Sequence, residues 1–196
     1  GLPLAEALDR IAIDGARLGD ELVRIGQAGS APLPLYRPHA YVELHIEQGP
    51  VLDAEGITIG AVENLQGISW QELTIVGQSN HAGTTPMRLR HDAGYAAVAI
   101  GHFLRGLTKE MGGNQVATVG ALTLHPNLIN VIPARAVMTV DLRNTDETML
   151  QQAEQALNAF LATLAKEEGV TITSRRLARF EPVVFDAGVA ALIARQ

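Results

Sequence analysis

Asp92-Ala93-Gly94-Tyr95-Ala96-Ala97-Val98-Ala99-Ile100-Gly101-His102-Phe103-Leu104-Arg105-Gly106-Leu107-Thr108-Lys109-Glu110-Met111-Gly112-Gly113 decides the fold. Ala93, Ala96, Ala97, Ile100, Phe103, Leu104, Leu107 and Met111 recur at three- and four-residue steps, which is an amphipathic helix with one buried face. Asp92 caps its start and Gly112-Gly113 ends it. Such a helix needs a surface to lie on, and the flanking patterns supply one. Ser69 to Val76 reads as a strand before it. Val116 to Leu124 and Ala136 to Leu142 read as strands after it, separated by the proline-flanked loop Pro126 to Pro133. A second helix carries Met149, Leu150, Ala153, Ala156, Leu157, Phe160, Leu161 and Leu164. Thr145 caps it, Asp146 and Glu147 stand in its first turn, and Gly169 stops it. Val170 to Leu177 closes the series. The order βαββαβ predicts a mixed α/β (α+β) domain: a four-stranded antiparallel sheet with both helices on one face.

Around this domain the pattern changes. Leu2 to about Gly26 reads as one or two short helices, with Leu4, Ala7, Leu8 and Ile11 on one side and glycines interrupting it. Gln27 to Pro38 reads as a loop. In Tyr41-Val42-Glu43-Leu44-His45-Ile46-Glu47, apolar and polar residues alternate as in a half-buried strand, and Gly49-Pro50 stops it. Asp53-Ala54-Glu55-Gly56 reads as a turn and Ile57 to Val62 as another strand. Gln66-Gly67 is a hinge candidate, and Glu181-Pro182 marks a return. The expected division is therefore 1–66, 67–180 and 181–196. The start at Gly1 and the unfinished helical pattern at 190–196 read as cuts in a longer chain.

The bulk numbers exclude several functions. With 196 residues, 47% hydrophobic and 18% charged, the chain can bury a sizeable core. The net charge of −6 and the lack of a basic run give no case for nucleic acid. No apolar run is long enough for a membrane helix, and no leader pattern opens the chain. There is no cysteine, so a metal would be held by imidazole and carboxylate.

Four blocks carry chemistry. They are His45-Ile46-Glu47-Gln48-Gly49-Pro50, Ser79-Asn80-His81-Ala82-Gly83-Thr84-Thr85-Pro86-Met87, Pro126-Asn127-Leu128-Ile129-Asn130-Val131-Ile132-Pro133, and Asp141-Leu142-Arg143. In this order they closely resemble the N-carbamoyl-L-amino-acid hydrolases, allantoate amidohydrolases and ureidopropionases, a branch of the zinc aminoacylase and carboxypeptidase superfamily. The resemblance covers almost the whole chain. It implies a complete lid or dimerisation domain inserted in an incomplete catalytic domain, a cytoplasmic homodimer assembled through the lid, and two divalent metal ions. Zinc is the default, and manganese, cobalt or nickel also suit the ligand types. The small-molecule substrate implied is an N-carbamoyl-L-amino acid, whose carbamoyl C–N bond is cut, with allantoate as the alternative. Ser69-Trp70-Gln71, where allantoate enzymes tend to carry arginine, favours the carbamoyl amino acid.

The resemblance also assigns roles. His45 is a metal ligand. His81 donates to the oxyanion of the tetrahedral intermediate, often across a dimer. Asn130 binds substrate through its amide, and Arg143 grips the substrate α-carboxylate. Gln48 touches substrate or supports His45. Each residue also has an ordinary reading: a surface histidine for His45, a turn histidine for His81, turn geometry for Asn130, and a pair with Asp141 on the same strand face for Arg143. His39, His91, His102 and His125 match nothing and read as structural or solvent-facing. The family's other ligands, a His-x-Asp, a bridging Asp, a Glu-Glu pair and a downstream His, have no match here, and neither has its general base. Glu167-Glu168 reads as a solvated helix end. A chain with His45 alone is expected to be inactive. The rival reading is a non-catalytic dimerisation or ligand-binding module of split βαβ plan.

Overall fold

The computed structural model describes residues 3–30 and 38–196. It divides into two compact units, Gly1–Gln48 and Gly49–Gln196. Most of the loop expected from Gln27 to Pro38 lies outside the described residues.

In the first unit, α1 (Leu4–Leu8) and α2 (Leu18–Arg24) are short helices with no buried residue. The side chains of Leu4 and Ile11, expected on a packed side, are exposed. Arg17 ties the pair together, donating from Nε to Asp9 and from Nη1 to Asp20 at 2.9 Å. The strand expected at Tyr41 to Glu47 is not formed: these residues are exposed and pair with no strand among the described residues. Alternation identifies two faces of an extended segment. A strand also needs a neighbour to take its backbone hydrogen bonds, and the pattern does not contain that neighbour.

In the second unit the turn expected at Asp53–Gly56 is one turn of helix, α3 (Val51–Glu55), ended by Gly56 in the left-handed conformation at φ 69°. The strand expected at Ile57 to Val62 is also absent. The chain pairs only at β1 (Asn64–Leu65), which meets β6 (Val183–Val184) in an antiparallel two-stranded ribbon. Between these short strands lies the main sheet. It contains β2 (Gly67–Val76), β3 (Val116–His125), β4 (Arg135–Asn144) and β5 (Thr171–Phe180), in the order β3-β4-β2-β5, all antiparallel. The helices α4 (Ala93–Met111) and α5 (Glu147–Glu168) cover one face. A final helix, α6 (Ala187–Ala194), follows β6.

The core is the seam between sheet and helices. Leu73 and Ile75 of β2 and Ala136, Met138, Val140 and Leu142 of β4 point into it, against Ala96, Ala97, Ile100 and Leu104 of α4 and Leu150, Ala153 and Leu157 of α5. Each of the larger aliphatics buried there contributes about 1.5–3 kcal/mol. Phe103 and Phe160 stack between the helices with centroids 4.1 Å apart. Asp92 caps α4 as expected, accepting from the amides of Gly94 and Tyr95. The cap of α5 is Asp146, which accepts from Met149 N, rather than Thr145, whose hydroxyl accepts from Asn114. The two candidates are adjacent, and only the backbone path decides between them. Gly67, read as a hinge, is a buried strand residue: a Cβ there would stand 2.7 Å from Pro182 Cδ and 2.9 Å from Leu150 Cδ2. Close approach explains this glycine, not torsional freedom. Among the described residues no helix is long and apolar enough to cross a membrane.

One ion triad pins α5 to the edge strand β5. Arg179 donates to both oxygens of Glu147 and, through Nε, to Glu154 at 3.0 Å. The three side chains are mostly shielded, at 15–28% exposure. Arg179→Met is expected to cost about 2–3 kcal/mol in chemical denaturation, because two carboxylates then face each other without their partner. The pH dependence has a definite sign. The bonds from Arg179 hold the Glu147 carboxyl below its ordinary range. That contribution is complete above about pH 4.3 and fades as pH falls through the lowered folded value. The variant should lose this acid-side slope. An unchanged slope would show that the triad does not stabilise the fold.

Candidate active site

The face of the sheet opposite the helices is open, and its residues occupy two regions. At one end the β2–β4 ladder runs on past the last strand residues. Gly77 N donates to Ala134 O at 2.7 Å, Ile132 N to Asn80 O at 2.9 Å, and Ala82 N to Asn130 O at 2.9 Å, while His81 bridges Val131. This pairing zips the turn after β2 to the loop before β4. It brings together His81 and Asn130, forty-nine positions apart in the chain. Both side chains are exposed, and the Asn130 amide has no hydrogen-bond partner among the described residues.

The His81 turn is held from inside. Gly83 N–H donates to His81 Nδ1 at 3.0 Å, and Thr85 returns both its amide and its hydroxyl to the His81 carbonyl. Half-buried Arg90 donates from Nε to Thr85 O at 3.0 Å and from Nη2 to Ala82 O. Because an amide N–H points at Nδ1, that nitrogen is an acceptor, and the neutral ring carries its proton on Nε2.

Arg143 stands at the other end of the sheet. In the register it pairs with Ile68, at the start of β2. Its guanidinium is engaged side-on by Asp141: Nε lies 3.1 and 3.0 Å from the two carboxylate oxygens and Nη2 lies 2.8 Å from one of them. The pairing with Asp141 weighed from the sequence is thus present. Its charge also sits 5.7 Å from the Trp70 ring centroid, a cation–π distance. Asp141 and Trp70 fix the plane of the fork, and its end-on edge, Nη1 with the outer proton of Nη2, has no partner among the described residues. Eight strand steps separate Arg143 from Arg135, on the order of 25 Å at about 3.3 Å per residue, and His81 lies beyond that end. No small substrate spans this distance within one chain.

In the first unit, His45 is exposed and its Nδ1 faces the Ile46 carbonyl. Gln48 adopts φ 52°, a left-handed conformation that costs a non-glycine residue about 1–2 kcal/mol. Among the described residues no cluster of three or more histidine, aspartate or glutamate side chains could hold a metal ion. His45 alone therefore does not make a centre. Of the histidines that match no motif, His39, His102 and His125 are exposed, and His91 is half-buried with Nδ1 3.2 Å from the Glu168 carbonyl at the end of α5. Sequence reading passes over Arg90 and Gly83. A lone arginine nine residues past a histidine has no pattern, and only its spacing to the turn carbonyls, visible in three dimensions, marks it.

The architecture around these residues is a split βαβ domain, a four-stranded antiparallel sheet with two helices on one face. Residues 64–169 match the peptidase dimerisation domain. The chain belongs to that family. It is 38% identical over 173 residues to the N-carbamoyl-L-amino-acid amidohydrolase of Rhizobium meliloti, covering 88% of this chain and 42% of that protein. It is 40% identical over 144 residues to the allantoate amidohydrolase of Escherichia coli K12, covering 73% of this chain and 35% of that one. A crystal structure of a hydantoinase/carbamoylase family amidase from Burkholderia multivorans superposes with a TM-score of 0.89 at 39% identity, covering 99% of this chain and 47% of the other. The resemblance read from the four blocks holds. The chain spans under half the length of the relatives it matches.

Proposed function

We propose that this chain is part of a metal-dependent amidohydrolase that cuts the carbamoyl C–N bond of N-carbamoyl-L-amino acids. Residues 67–180 are its lid, with 1–66 and 181–196 belonging to the catalytic domain. His81 stabilises the oxyanion, Asn130 holds the substrate through its amide, and Gln48 borders the site. The observation that carries the reading is the open end-on edge of Arg143. It offers a planar, bidentate cation to the substrate α-carboxylate, while Asp141 and Trp70 hold the fork still. Two divalent ions, zinc by default, would serve the whole enzyme by activating water. This chain would contribute His45 to them and does not complete their site. We place the enzyme in the cytoplasm on the resemblance alone.

The separation of Arg143 from His81 and Asn130 supports a homodimer in which each active site takes Arg143 from one subunit and His81 with Asn130 from the other. The outer edge of β3, which has no strand partner among the described residues, and the exposed side of α4, with Tyr95 and Val98, supply a patch that a two-fold axis can match to itself.

The test uses the whole protein that contains this chain, assayed on N-carbamoyl-L-amino acids and on allantoate. Arg143→Lys keeps the charge and removes the fork. It should lower kcat/KM about 10- to 100-fold, the loss of a charged hydrogen bond of roughly 1.5–3 kcal/mol, with metal content unchanged. The 196-residue chain alone should show no turnover. Near-normal kcat/KM in Arg143→Ala with metal retained would remove the carboxylate role. Preference for allantoate would change the substrate, and a whole protein without bound metal or turnover would favour the non-catalytic module.

A further inference from the structure

We propose that Arg90 is a positioning residue for His81, and that together with the Gly83 amide it locks the imidazole as the Nε2–H donor. The inference rests on the oxyanion role proposed for His81 and says how the turn enforces it. An oxyanion donor must present N–H, not a lone pair, and must hold its direction before the reaction begins. An exposed histidine on a free turn does neither, since its ring rotates and its two tautomers exchange.

Here five hydrogen bonds remove that freedom. Gly83 N–H occupies Nδ1, which excludes a proton there and fixes the ring relative to its own turn. The turn closes on itself through Thr85, which bonds the His81 carbonyl twice. Arg90 then binds the same turn from the protein side, bridging the Ala82 and Thr85 carbonyls with one guanidinium. A planar fork can reach two carbonyls three residues apart in a fixed geometry, whereas an ammonium delivers a point charge. Arg90 is itself anchored, because His91 beside it is bridged to Gln78 and Asp92 caps α4. The rigid helix start is thereby linked to the exposed ring. Arg90 touches no reacting atom in this arrangement and acts only through His81.

The test needs no hydrolase activity for its first half. In the 15N-labelled chain, a scalar coupling across the N–H···N hydrogen bond between Gly83 N and His81 Nδ1 is expected at a pH where the imidazole is neutral. Arg90→Ala should abolish it and let the tautomers mix, and Arg90→Lys should retain part of it. Amide spectra outside the turn, unchanged in these variants, confirm that the domain is folded. No coupling in the wild-type chain, or full coupling in Arg90→Ala, overturns the lock. In the whole enzyme Arg90→Ala should lower kcat about 10- to 100-fold while KM moves little, with partial rescue by lysine. Unaltered kcat with the coupling lost overturns the positioning role. If His81→Ala is itself without effect on turnover, the oxyanion reading falls, whatever the spectra show of the lock.

Discussion

Co-expressed His81→Ala and Arg143→Ala subunits of the whole enzyme are expected to recover about a quarter of wild-type activity, because half the dimers are mixed and each mixed dimer holds one intact site of two. Each variant alone should be far below that. Removing a preorganised oxyanion donor costs about 10²–10³ in kcat. Removing the carboxylate's counter-charge costs at least the 10- to 100-fold expected of lysine at that position. Recovery requires that Arg143 of one subunit and His81 of the other serve the same substrate. The sheet demands this arrangement if both residues act, since they stand at opposite ends of one open face. A co-expressed pair no more active than its parents would mean that no site is shared between subunits.

Gly77→Ala should be the most damaging single methyl in the lid. A Cβ at Gly77 would lie 2.0 Å from the His91 carbonyl oxygen and 3.2 Å from Ala93 N. Both are backbone atoms, fixed by the Gln78 N to His91 O bond of 2.8 Å and by the start of α4. No side chain can swing aside, so the turn must separate from the helix. The expected loss is about 3 kcal/mol or more. For a protein of this size that lowers Tm by roughly 6–12 °C. Gly106→Ala is the matched control: its Cβ would meet nothing within 4 Å on an exposed part of α4. It should raise stability by about 0.5–1 kcal/mol. Equal melting temperatures for the two variants would refute the close-approach argument.

The lid was legible because its signals are periodic. Helices α4 and α5 repeat apolar residues along one face, and β4 alternates buried Ala136, Met138, Val140 and Leu142 with its outward residues, whereas the apolar pattern of β2 breaks phase, burying Ser69 and Gln71 and exposing Trp70. The stretch at Tyr41 to Glu47 alternates just as well and forms no strand, because the pairing that makes a strand belongs to another segment. The meeting of His81 and Asn130 was not legible either. It depends on the β2–β4 ladder continuing beyond Val76 and Arg135, through loops whose glycine and prolines signal turns and not registers. The bond between Arg143 and Asp141 could be read, since residues two apart on a strand share a face. That this bond leaves one edge of the guanidinium open could not, because it is a matter of which nitrogens are used.

The ribbon of β1 and β6 has a bearing on how such a lid can be carried at all. Asn64 faces Val184 and Leu65 faces Val183, so the chain leaves for the lid and returns from it through adjacent strands. Holding the two ends of a segment this long together ordinarily costs loop-closure entropy. Here the strands on either side of the four-stranded domain hydrogen-bond to each other within the same compact unit, so that cost is met by the unit's own backbone.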